Sequence, residues 1–207
     1  MAMNKQAQRG FTLFELLVTL LVMGVLFGIG VPNLLGFVRD NRMAAAANEF
    51  VSALYAARSE AVKAQRLVTV CASANPEAVA PICGAGGTGG FVVFVDDADG
   101  DGIDPTDGNV VIDPGEQIVL QRAAPGGSLN VFSDSLFAMY APNGFITPAA
   151  LGNSLSTILL CDNRGNQDVG GRSAARVITL SVTGRPQMLR DVADVTNATG
   201  TFGWACP

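Results

Sequence analysis

One uninterrupted apolar segment constrains this chain more than any other feature. Between Leu16 and Val38 there are 23 residues without a charged side chain. A helix rises about 1.5 Å per residue, so this segment is long enough to cross a hydrocarbon layer about 30 Å thick. The leader ahead of it carries Lys5 and Arg9, and basic residues at that end keep an N-terminus in the cytoplasm. The sequence therefore predicts one membrane-spanning helix, with the rest of the chain exported.

Three kinds of N-terminal segment contain such an apolar stretch. A cleaved secretory signal peptide has a shorter apolar region followed by small residues, which the four alanines at 44–47 resemble. The stretch is too long for that, and those alanines fall within a helical pattern. A plain membrane anchor explains the length but not Glu15, because a carboxylate at the bilayer centre costs roughly 2.5–3.5 kcal/mol. The third kind of segment accounts for this acid.

The residues around Glu15 match a processing signal. The string RGFTLFEL, residues 9–16, resembles the type III signal of type IV pilins and type II secretion pseudopilins. The resemblance implies that a prepilin peptidase cuts after Gly10 and methylates Phe11. It also implies that Glu15 pairs with the freed amine of Phe11 in a neighbouring subunit, an attraction that a low dielectric strengthens. The domain prediction is a leader over 1–10, an inner-membrane and filament-core helix over 11–38, and a periplasmic head over 39–207.

A second helical pattern follows the apolar segment. Pro32, after Gly28 and Gly30, predicts a kink or local melting where the helix leaves the membrane. Beyond it, apolar residues spaced alternately four and three apart lie on one helical stripe, which favours a helix packed on a sheet. A coiled-coil seam is disfavoured because the stripe is rich in alanine and short. The stripe consists of Met43, Ala47, Phe50, Leu54, Ala57 and Ala61.

From Leu67 onward the sequence predicts a β-structure. Short β-branched and aromatic runs alternate with clusters of Gly, Pro, Asn and Asp, which is typical of strands and turns. The fold class is therefore α+β, a helix followed by an antiparallel sheet or sandwich. The predicted strands are Leu67–Ala72, Gly90–Val95, Gln117–Arg122, Leu129–Phe132, Phe137–Tyr140, Ser156–Cys161, Arg176–Val182 and Pro186–Leu189.

Several stretches of the head narrow the resemblance to one family. Residues 48–71, the run GFVVFVD at 90–96, the DPGE at 113–116 and residues 161–165 resemble the FimT/GspH family of minor pilins and minor pseudopilins. The resemblance implies a type IV pilin-like fold, with a two-sheet antiparallel head on the exposed half of the helix. Its implied function is a non-enzymatic subunit of a type IV pilus or a type II secretion pseudopilus, whose partners are other pilins and membrane lipid. The chain has no histidine, which excludes Ser/His/Asp catalysis and His-ligated zinc.

Four cysteines fit an exported head. No Cys-x-x-Cys pair suggests zinc or thioredoxin-like chemistry, whereas disulfides are stable in an oxidising periplasm. Of the three connectivities, we favour Cys71 with Cys83, which closes a short loop, and Cys161 with Cys206, which holds the tail on a strand. Each bridge contributes about 2–4 kcal/mol in typical cases. The alternative is four buried free thiols.

Acidic residues dominate the middle of the chain. Asp97, Asp99 and Asp101 match the opening of an EF-hand-type calcium loop, in which carboxylates at alternate positions converge. The twelfth position is Gly108, so a closing ligand would come from Glu116 or from Asp104, Asp107 or Asp113. The sequence thus favours a solvated acidic hairpin tip here, with a calcium site as the alternative, and it indicates no other cofactor.

Arginines in the C-terminal region raise a second function. Some FimT members that resemble this chain bind DNA for uptake through a Gly-Arg-x-Arg motif. The corresponding residues here are 184–187, GRPQ, in which Arg185 is present and the second arginine is absent, with Arg190 as the nearest replacement. The net charge of −5 opposes phosphate binding, so solvated arginines are favoured over a DNA site.

Overall fold

The structure is a computed structural model that describes residues 11–84, 90–97, 107–126, 129–147 and 155–206, with only the backbone at 32 and 33. It divides into two compact units, one ending at Asn41 and one running from Arg42 to Pro207. The order of elements is one long helix, nine strands and a short C-terminal helix. The α+β class predicted from the sequence is confirmed.

Helix α1 spans Leu13–Ala64, 52 residues. Among the described residues it is the one helix that is long and apolar enough to cross a membrane. It continues through Pro32, so the predicted local melting is wrong. A proline at that position removes one backbone donor, but the apolar helix on either side keeps its own hydrogen bonds. The helix ends before Gln65, whose φ of 57° places it in the left-handed region that terminates many helices.

The second half of α1 supplies the core of the head. The stripe predicted from the sequence is confirmed: five of its residues are buried and Phe50 is partly buried against them. Three of the six stripe residues are alanines, and their small side chains let the helix lie close to the strands. The buried stripe residues are Met43, Ala47, Leu54, Ala57 and Ala61.

The strands form two antiparallel sheets. The first has the order β3-β2-β1-β5-β6 and the second β4-β7-β8-β9. Strands β1 and β2 pair along their whole length, Val68 opposite Val95. The bounds are β1 Val68–Ser73, β2 Gly90–Val95, β3 Ile118–Arg122, β4 Asn130–Ser133, β5 Phe137–Tyr140, β6 Ile146–Thr147, β7 Thr157–Cys161, β8 Arg176–Leu180 and β9 Pro186–Leu189.

Each sheet buries both of its faces. In β7, Ile158 and Leu160 join the main core around α1, whereas Leu159 and Cys161 join a second cluster under helix α2, Val192–Phe202. Alternate side chains of a strand point to opposite faces, so a strand covered on both sides is apolar throughout. The central strands of the head therefore have continuous apolar sequences.

The structure adds two elements to the predicted set and shifts the ends of five of the eight predicted strands by one or two residues. Helix α2 and the two-residue strand β6 were not predicted, and the strand predicted over Arg176–Val182 ends at Leu180. Helix α2 contains Thr, Asn and Gly, which have low helix propensity, and packing of Val195 and Ala198 on the second sheet stabilises it.

Candidate functional sites

The first turn of α1 contains a capping box. The Thr12 N–H and the Thr12 Oγ1 hydroxyl each donate to Oε2 of Glu15 at 3.0 Å, and the Glu15 N–H donates to Thr12 Oγ1 at 3.2 Å. This reciprocal pattern, Thr-x-x-Glu, satisfies donors at the helix start that otherwise have no partner. The carboxylate of Glu15 is thus held at Thr12, the residue that follows Phe11 in the chain. Gly10 and the leader lie outside the described residues.

The first half of α1 exposes an apolar surface on all sides. From Phe11 to Val38 its large hydrophobic side chains are exposed, Phe11 by 79% and Phe14 by 74%. Soluble proteins rarely expose a continuous apolar surface of this size unless lipid or a partner covers it. Glu15 is the one charged side chain on this surface. The segment can therefore bury itself in lipid or among copies of itself, with a single carboxylate for a polar contact.

A cluster of acidic side chains lies between strand β2 and strand β3. Asp96, at the end of β2, is fully buried, and its Oδ2 accepts from Thr69 Oγ1 at 2.7 Å and from the Val110 N–H at 3.1 Å. Glu116 Oε2 accepts from the Asp113 N–H at 2.8 Å. The second oxygens, Asp96 Oδ1 and Glu116 Oε1, are buried and have no hydrogen-bond partner among the described residues. Each of these two carboxylates is thus held by one oxygen and leaves the other unbonded.

Burial and mutual repulsion perturb these acids. Desolvation raises the pKa of Asp96 to about 6, and the neighbouring charge of Asp113 adds to the effect. Desolvation also raises the pKa of Glu116 to about 7, supported by repulsion from Asp96, Asp113 and Asp107. Hydrogen bonds from Thr69 and from backbone amides act in the opposite direction. Four acids therefore share one small region in which negative charge is costly.

The calcium ligands predicted from the sequence are distributed differently. Asp97 is buried at the edge of the cluster, with its backbone carbonyl accepting from Arg66 Nη1 at 3.4 Å, while Asp99 and Asp101 lie outside the described residues. Glu116 belongs to the cluster, and Asp96, which the motif did not include, lies at its centre. Among the described residues no three acidic side chains already form a ligand set for a metal.

The structure does not bring the two candidate DNA-binding arginines together. Arg185 is exposed in the turn that precedes β9, and Arg190 follows the other end of that strand. Arg190 is partly buried, and its Nε has no hydrogen-bond partner among the residues described here. Five residue steps of about 3.3 Å along the strand separate them by roughly 17 Å. They do not form a single phosphate clamp.

Two disulfides join segments of the head. Cys71 in β1 bonds to Cys83 with a Cα–Cα distance of 5.5 Å, and Cys161 in β7 bonds to Cys206 at 6.0 Å. These are the pairs that the sequence favoured over free thiols. The second bond fixes the segment after α2 to the second sheet, beside Trp204, which stacks on Phe202.

Comparison with known proteins adds information on both halves of the chain. The family described as type II transport protein GspH matches residues 46–184, more than half of the chain. A prokaryotic N-terminal methylation motif matches residues 5–31. The type II secretion system core protein G of Klebsiella michiganensis is 53% identical over 34 residues, which are 16% of this chain and 24% of that protein. This chain thus spans about a quarter of the length of that curated relative.

Two solved structures resemble the chain. Both are crystal structures of the type IV minor pilin FimU of Pseudomonas aeruginosa. The first is 19% identical, covers 76% of this chain and 94% of FimU, and superposes with a TM-score of 0.45. The second, in another space group, is 20% identical, covers 70% and 90%, and has a TM-score of 0.40.

Proposed function

Because this chain belongs to the family of type II transport protein GspH, we propose that it is a minor pilin or pseudopilin, inserted in the inner membrane and assembled into a filament. Members of this family are structural subunits, and the chain is not an enzyme. The observation that carries the finer proposal is the exposed apolar half of α1, with Glu15 as its single charge next to a methylation motif. A surface of that kind requires lipid before assembly and neighbouring helices after it.

The capping box indicates how the N-terminus works. Cleavage between Gly10 and Phe11 leaves a cationic amine one residue before Thr12, whose side chain and amide hold the Glu15 carboxylate. A held carboxylate pays little additional ordering cost when it binds a second cation, so the amine of an adjacent subunit is a suitable partner. Low dielectric around the helices strengthens that pair. We expect this contact to set the stagger between neighbouring subunits.

The head is proposed to lie in the periplasm. Its two disulfides suit an oxidising compartment, and the basic leader is expected to stay in the cytoplasm. A single insertion of α1 into the membrane then places the head in the periplasm. Whether the filament is a pilus or a secretion pseudopilus depends on which of the two systems supplies its other subunits.

Processing is tested by N-terminal sequencing of the membrane form in cells that contain prepilin peptidase. The expected mature chain starts at a methylated Phe11, and Gly10→Leu is expected to retain the leader. A mature chain that starts near Asn48 would mean that a conventional signal peptide is removed, and the proposal would be wrong.

The role of Glu15 is tested by two variants that separate charge from helix capping. Glu15→Gln keeps the capping box, which accepts Gln as well as Glu, but removes the charge. Thr12→Val removes the hydroxyl and keeps the charge. Cleavage should be normal in both, whereas incorporation into filaments should fall at least about tenfold only in Glu15→Gln, which corresponds to about 1.4 kcal/mol. If Thr12→Val alone loses incorporation, Glu15 acts as a helix cap and the intersubunit contact is refuted.

A further inference from the structure

The acidic cluster between β2 and β3 has the arrangement of an incomplete coordination shell. In Asp96 and Glu116 one carboxylate oxygen accepts from the protein, and the other is buried without a donor. The neighbouring Asp113 accepts through its Oδ2 from Asn109 Nδ2 at 2.8 Å. Bonds of this kind commonly orient metal ligands from outside the first shell.

The two central acids lack an ion-pair partner within the part of the chain that the structure describes. The charges that act on Glu116 are those of other carboxylates. Arg66 lies at the edge, where it contacts the Asp97 carbonyl. A buried carboxylate oxygen without a donor is costly, and a cation or a proton is required to compensate it.

We propose that Asp96 and Glu116 bind one calcium ion at the junction of β2 with the segment leading to β3. The proposal is independent of filament assembly. All of the ligating atoms are carboxylate oxygens, which calcium prefers, and the chain has no histidine to favour a transition metal. Water would supply the remaining ligands, since calcium takes six to eight.

The position of the site indicates what the ion would do. Asp96 joins three segments: its side chain accepts from Thr69 in β1 and from the Val110 amide, and its carbonyl accepts from the Gly108 amide at 2.8 Å. The Val95 amide in turn donates to the Gln117 carbonyl at 2.9 Å. An ion on Asp96 and Glu116 would connect the two ends of the 97–116 segment to the central strands. Calcium would then fix the described 107–117 segment against the end of β2.

Protons are the alternative occupant of these sites. Either carboxyl group can hold a proton and donate it to its neighbour, which removes the repulsion without any ion. The two explanations differ in one measurable respect. A proton-sharing pair gains nothing from calcium, whereas a calcium site gains stability with rising calcium concentration.

The test uses the full-length chain, purified in mild detergent and freed of metals with a chelator. Calcium binding is measured by titration calorimetry, and the thermal unfolding midpoint is measured with and without about 5 mM calcium. Glu116→Gln and Asp96→Asn remove the proposed ligands. Glu77→Gln, an exposed acid in the same acidic half of the chain, is the matched control for charge.

We expect one calcium per chain with a dissociation constant of about 1 mM or tighter, and a rise in the midpoint of about 3 °C or more. The Glu77→Gln control should keep both the calcium binding and the rise in the midpoint, and Glu116→Gln should lose both. Without calcium, the unfolding midpoint of Glu116→Gln should be equal to or above that of the parent chain. Absence of calorimetric binding, or binding retained in both ligand variants, would overturn the proposal. An equal response to magnesium would also overturn it, because a calcium site of carboxylates and waters selects the larger ion.

Discussion

Gly184 provides the sharpest test of how the head is packed. Its φ is +74°, and a Cβ added there would overlap the carbonyl oxygen of Gly144 and lie 2.9 Å from Cε1 of the fully buried Tyr140. The left-handed conformation costs an L-residue about 1–2 kcal/mol, and overpacking typically costs a further 1–3 kcal/mol. Gly184→Ala is therefore expected to lower the free energy of unfolding by about 2–5 kcal/mol.

Gly170→Ala is the matched control for this change. Gly170 has a similar φ of +63°, but no atom lies within 4 Å of an added Cβ, so its loss should be about 1–2 kcal/mol. Urea unfolding of the full-length chain in mild detergent, followed by fluorescence of the sole tryptophan, Trp204, measures both. If the two variants lose equal free energy, the close approach of Gly184 to Gly144 carries no packing cost and the reasoning is refuted. A structural requirement at Gly184 would also explain this glycine without any role in DNA binding.

Three further predictions concern charged groups of the head. Arg176 is buried, and its Nη1 donates to three backbone carbonyls at 2.8–3.1 Å. Arg176→Met should therefore lower the free energy of unfolding by about 3 kcal/mol in the same assay. Arg172→Met, at an exposed arginine, should lower it by less than about 0.5 kcal/mol. Without calcium, the free energy of unfolding from calorimetric scans should fall as pH rises from about 4 to 8. The pKa values of Asp96 and Glu116 are higher in the folded than in the unfolded state, so the folded state binds protons more tightly. A rise in stability over this range would contradict those pKa values. Gel shifts at low salt should show weak DNA binding or none. If they show clear binding, and replacing both Arg185 and Arg190 with Gln abolishes it, DNA uptake would be favoured instead.

The periodic parts of this chain could be read from its sequence. The stripe on α1 was predicted because small apolar residues recur at helical spacing, and only one face of that segment contacts the strands. The central strands were predicted within one or two residues, since continuous β-branched runs between Gly and Asp clusters have few alternatives. Helix α2 could not be predicted, because its stability comes from Val195 and Ala198 packing on a sheet formed by distant residues.

The candidate cation site shows the same limit. Asp99 and Asp101 attracted attention because carboxylates at alternate positions form a recognisable local motif. Asp96 gave no such signal, since a single acid at the end of an apolar strand is also typical of a strand that simply reaches solvent. Its importance comes from Thr69 and Val110, which lie 27 and 14 residues away and hold one oxygen of the carboxylate. The Thr69 contact exists only because β1 pairs with β2, and the Val110 contact only because the 107–117 segment returns to the end of β2.

The distribution of apolar surface assigns different tasks to the two units. Within the head, α1 covers one face of the sheets, and α2 and the 107–118 segment cover parts of the others, so exposed hydrophobic residues there are scattered. Along residues 11–38 every large apolar side chain that the structure describes is exposed. Scattered residues do not drive strong association, whereas a continuous apolar helix must be covered. Assembly energy is therefore expected to come from the first half of α1, and the head is free to vary its loops and to bind an ion or a partner without altering the filament core.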